Sequence, residues 1–64
     1  MDNYYQDIKV YNWMTHCVIH SLRQVHITQI SLGDDYINIH YIPYGSHKTS
    51  SIIFEKHYNI LEIS

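Results

Sequence analysis

Two histidines, His16 and His20, stand four residues apart in a chain with six histidines in all. On a helix that spacing sets both rings on one face. The chemistry it would serve is zinc ligation, which needs three or four convergent ligands at about 2.0–2.3 Å. His-x-x-x-His supplies two, and no Glu lies between them, so the metalloprotease pattern is missing. A third ligand would have to come from His26, His40, His47 or His57 across the fold. The expectation is no metal and no cofactor, with His16 and His20 as the pair a metal would use. Histidine titrates near neutrality, so full protonation would carry the chain from −2 toward +4.

Cys17 beside His16 is the one thiol–imidazole neighbourhood. On a helix it falls inside an apolar stripe, where cysteine behaves as a small inert hydrophobe. Gly-x-Ser-x-Gly, a Gly-rich phosphate loop and a Walker lysine are missing. Asp34-Asp35 is a carboxylate pair, but turn chemistry accounts for it. The reading is a protein that is not an enzyme. Nucleic-acid binding asks for a basic footprint, and the four cations, Lys9, Arg23, Lys48 and Lys56, are scattered. A tyrosine-rich sheet would stack unpaired bases. A small metal- or single-stranded nucleic-acid-binding regulator is therefore the alternative from another class.

What remains is the aromatic inventory, Trp13 with seven tyrosines, which exceeds what a small core consumes. Tyrosine offers large area, a polar tip and low entropy cost, and it is enriched in protein interfaces. The expected partner-binding set is Trp13, Tyr4, Tyr5, Tyr36, His40 and Tyr44. They lie beside a helical stripe, at the terminus, on the polar face of a hairpin and in a loop. This points to stoichiometric binding of a larger protein target. The type expected is a phage- or mobile-element inhibitor of a host defence protein, anti-CRISPR-like or other anti-defence. An antitoxin or immunity protein is the same kind of object with another target.

Composition agrees with that economy. Apolar residues make up 45 % and charged residues 16 %, against about 25 % charged in an ordinary soluble domain. Such a chain is not intrinsically disordered, and its weak self-repulsion favours a homodimer. At 64 residues it is one small domain, 1–64. About 60 % of the unfolded surface is buried at this size, which supports a thin core and no deep cleft. One cysteine excludes an internal disulfide and fits a reducing compartment. No apolar run of about 18 residues is present, and the first five residues lack the pattern of a signal peptide. The expectation is a complete small cytoplasmic product with no membrane partner, in the host cytoplasm if phage-encoded. Eleven isoleucines and no alanine suggest AT-rich codons, as in a low-GC bacterium or its phages.

Positioning these residues falls to an α+β fold, one N-terminal helix packed on a small three- to four-stranded antiparallel sheet. Val10 or Tyr11, Met14, Cys17 with Val18, and Leu22 recur at three- and four-residue steps, which predicts a helix over 7–24. Asp7 or Asn12 would cap it, and Arg23 would suit its C-terminal dipole. Thr15, Val18 and Ile19 are β-branched and pull the other way, toward a strand over 15–22. Residues 25–32 and 36–42 flank Gly33-Asp34-Asp35 and predict a hairpin. A two-residue loop puts Ile30, Leu32, Ile37, Ile39 and Tyr41 on one face, and Gln29, Ser31, Tyr36, Asn38 and His40 on the other. A three-residue loop without a bulge would turn the wrong face inward. Residues 43–50 read as a loop. Residues 51–63 read as two short strands turning near Lys56-His57, with a short helix after Ser50 as the alternative. An open sheet edge would pair with a second copy or a target strand.

Overall fold

The computed structural model describes residues 5–64, and in them the chain is all β. The strands are β1 (Gln6–Asn12), β2 (Val18–Leu32), β3 (Tyr36–Pro43), β4 (Ser50–Glu55) and β5 (Asn59–Ile63). They form one antiparallel sheet in the order β4-β3-β2-β1-β5. The expected N-terminal helix does not exist, and the sheet has five strands where three or four were expected.

The physical reason lies at Asn12. Its side-chain oxygen accepts the amides of Met14 and Thr15, at 2.9 and 3.0 Å. That is the chemistry of a helix N-cap, and it starts a single turn. The His16 amide donates to the Asn12 carbonyl at 2.7 Å. His16 itself is then left-handed, at φ 63°, and the winding stops. Cys17 carbonyl accepts the Asn12 amide and β2 begins. The three- and four-residue recurrence over 7–24 is thus two period-two strands joined through a turn. Ile8 and Val10 point inward from β1, and Leu22 meets them from β2. Met14, Cys17 and Val18, expected in the stripe, are exposed. The β-branched residues noted above, which favour the pleated surface, sit in or beside β2.

β2 is 15 residues long and serves both halves of the sheet. Its N-terminal part pairs with β1 and its C-terminal part with β3. Between them is a bulge. Gln6 faces Val25 and Ile8 faces Leu22, so β2 spends one more residue than β1. Gln24 is left-handed there, at φ 55°. Its amide donates to Asp7 Oδ1 at 3.0 Å, and its carbonyl accepts the Tyr44 amide at 2.9 Å. A second irregularity falls at Thr28. Bulges bend a strand and raise its twist, so the sheet folds over on itself. Its inner faces meet in one core of Ile8, Val10, Val25, Ile39, Tyr41 and Phe54. The His20 ring lies 6.3 Å from the Phe54 ring across the fold. Only residues 56–58 join β4 on one edge to β5 on the other, a span that the folding-over makes possible.

The β2–β3 hairpin follows its alternation. Ile30 faces Ile39 and Leu32 faces Ile37. The Gly33 amide donates to the Tyr36 carbonyl at 2.9 Å, leaving Asp34-Asp35 as a two-residue loop. Leu32 nevertheless stays 71 % exposed, because the tip overhangs the core. The loop after β3 turns at Gly45, whose φ of 80° suits a residue without Cβ. Residues 51–63 form strands and not a helix. Among the described residues no helix is long and apolar enough to cross a membrane.

Candidate functional site

Three turns gather at one end of the sheet: 13–17, 33–35 and 56–58. Backbone hydrogen bonds tie them. The Trp13 amide donates to the Tyr58 carbonyl at 3.0 Å and extends the β1–β5 ladder by one pair. The Lys56 amide donates to the Asp35 carbonyl at 2.7 Å and extends the β3–β4 ladder likewise. Lys56 Nζ reaches the Gly33 carbonyl at 3.4 Å, and His57 Nε2 lies 3.8 Å from Asp35 Oδ1. Both partners of that last pair are well exposed, so it adds little stability.

Aromatic groups line this end. Trp13 is 50 % exposed, Tyr36 52 % and Tyr58 60 %. The His57 and Tyr58 rings meet edge-on at 6.4 Å, and exposed Met14 follows Trp13. Tyr58 is left-handed at φ 69°. For an L residue that conformation costs about 1–2 kcal/mol, and it persists where the surroundings over-determine it. The bond from Trp13 and the short span from β4 to β5 do so here.

Beside this end, on the outer face, Ile60, Tyr11 and Val18 form a row across β5, β1 and β2. The Tyr11 hydroxyl donates to Glu62 Oε2 at 3.0 Å. Lys9 Nζ lies 3.8 Å from Glu62 Oε1 and 5.6 Å from the Tyr11 ring centre. The hydrogen bond to Glu62, then desolvation, then the charge of Glu62 hold the Tyr11 phenol above its ordinary 10.0. A shallow hollow of about 680 Å³ further along these strands is lined by Asp7, Lys9, Arg23 and Glu62, charges of both signs.

The structure divides the expected partner set. Trp13 and Tyr36 belong to the turn end. His40 lies on the outer face of β3, four residues along from Tyr36 and level with Gln29 and Ser51. Tyr5 and Tyr44 sit at the opposite end, their rings edge-on at 5.1 Å. Tyr4 lies outside the described residues. Tyr58 was missed in that set: the expected turn at Lys56-His57 left it in the strand that follows, whereas the turn runs through residue 58. The histidine pair is also separated. His16 occupies the exposed turn, whereas His20 is half-buried opposite Val10. Among the described residues no three His, Cys, Asp or Glu groups are placed to hold a metal ion.

Fold and surface together define a small, folded-over antiparallel sheet with a fixed aromatic end. No protein-family model matches the chain, and no curated protein or solved structure does.

Proposed function

We propose that the chain is a non-catalytic, stoichiometric protein-binding module whose contact surface is the turn end, centred on Trp13, Tyr58 and Tyr36. The observation that carries this reading is the exposure of three large aromatics, Trp13 and Tyr58 on turns and Tyr36 at the first position of β3, where backbone hydrogen bonds cross-tie the three turns. Trp and Tyr are the residues most enriched among binding hot spots. Holding them on a fixed backbone lowers the ordering cost of association. The mode of action within this reading is occlusion of a larger protein in the cytoplasm. Its target class is host defence machinery of a low-GC bacterium, a choice supported by small size and AT-rich residue usage.

The test is affinity capture from lysates of such bacteria, with immobilised wild type beside Trp13→Ala, Tyr58→Ala and Tyr44→Ala. Wild type and Tyr44→Ala should retain a stoichiometric partner. The two turn-end variants should weaken it by about tenfold or more, with unchanged melting temperature. Equal capture by all four proteins, or repeated capture of nothing, sinks the reading.

A further inference from the structure

Among the described residues β4 is the outer strand on its side of the sheet, with β3 as its ladder partner. The hydrogen bond from the Lys56 amide to the Asp35 carbonyl sets the phase of that ladder. Bonded and non-bonded pairs alternate along antiparallel strands. Ser50, Ile52 and Phe54 therefore turn their backbone groups to β3, and Ser51, Ile53 and Glu55 turn theirs to the open edge. The other side of β3 agrees. The Gly33–Tyr36 bond makes Tyr36, Asn38 and His40 face β2, which leaves Ile37, Ile39 and Tyr41 for β4.

Edges of natural sheets are blunted by Lys, Pro, bulges or inward charges. β4 has none of these: its sequence is Ser-Ser-Ile-Ile-Phe-Glu, its register is unbroken, and Ile53 is 58 % exposed. We infer that two copies of the chain pair through this edge, β4 antiparallel to β4, with a two-fold axis at Ile53. That register sets Ile53 against Ile53, Ser51 of one copy against Glu55 of the other, and Ile52 against Phe54. Every residue then meets one pointing to its own face of the sheet. The single charge in the strand meets a hydroxyl and not its own copy. A shift of one residue opposes inner and outer faces. An axis at Ile52 or Phe54 keeps two edge-facing pairs in place of three. The Glu55 carbonyl already accepts Asn59 Nδ2 at 2.8 Å, and a carbonyl has a second lone pair for Ser51.

This self-matching selects a second copy over a foreign strand, and the small net charge of −2 lets copies approach. The pairing is independent of the turn-end reading.

The experiment is sedimentation equilibrium over a concentration series, with circular dichroism to show that each variant folds. Wild type should dimerise. Ser51→Glu places two carboxylates opposite two others and should weaken the dimer about tenfold. Ser51→Lys should match or strengthen it. In a Cys17→Ser background, oxidation should cross-link Ile53→Cys, because bonded pairs hold Cα atoms about 5.5 Å apart. Ser51→Cys should stay uncrosslinked. A wild type that remains monomeric at every concentration, equal effects of Glu and Lys at Ser51, or equal cross-linking at both positions would overturn the pairing.

Discussion

The two hairpins that share β2 close by opposite means. The β2–β3 turn is two aspartates, and neither has a left-handed backbone. From Gln29 to the tip its strands keep strict alternation. The β1–β2 turn takes residues 13–17, recruits Asn12 Oδ1 for two amides and Thr15 Oγ1 for the Cys17 amide, and forces His16 left-handed. Its ladder shifts register twice. One hairpin is set by side-chain periodicity and burial, whereas the other leans on side chains that bond the backbone. Damage to the two should therefore differ in kind.

The largest expected effect tests the burial side. Ile39 is fully buried, so Ile39→Ala should cost about 2–5 kcal/mol in urea denaturation. Leu32→Ala, on the same face but at the overhanging tip, should cost less than about 0.5 kcal/mol. Similar losses would mean that the tip is packed in solution and the contrast within this hairpin is false. The turn side comes next. Asn12→Ala removes the acceptor of two amides and should cost about 1 kcal/mol, with Asp34→Ala within about 0.5 kcal/mol of wild type. If Asp34→Ala costs as much as Asn12→Ala, the two turns are not built differently.

The smallest effect concerns the face where β1 meets β5. The Tyr11 phenol should titrate above 10.0 in an ultraviolet pH titration, and Glu62→Gln should bring it back down. The sign follows from Glu62, whose carboxylate accepts the phenolic proton and repels the phenolate. Folding thus holds this proton more tightly than the unfolded chain does. Any linked stability is present below pH 10.0 and fades as pH rises through the folded-state value. A Tyr11 titration unmoved by Glu62→Gln would remove this tie from the β1–β5 side.

The same contrast explains what could be read ahead of the structure. The register and both faces of the β2–β3 hairpin follow from residues 30–41, because a period of two is visible in any short window. Asn12 was recognisable as a capping residue, but a cap begins a helix and a single turn alike. What stops the helix is His16, whose type carries no such signal, whereas a glycine there would have done. Met14, Cys17 and Val18 consequently seemed to be core. In the candidate site, the excess of aromatics and the exposure of Trp13 and Tyr36 were legible. Their separation from Tyr5 and Tyr44 was not, and neither was the arrival of Tyr58 beside Trp13.

By itself the sequence determined the local terms: a strand pair about Asp34-Asp35, a capping side chain at Asn12, a break at Gly45 and a surplus of tyrosine. Tertiary structure alone decided that β2 bends at Gln24, and everything at the turn end depends on that corner. The reason is range. The Gln24 amide is held by Asp7, 17 residues away, and its carbonyl by Tyr44 from the other side of the sheet. Such bonds form only once the chain has folded over, and no window of neighbouring residues contains them.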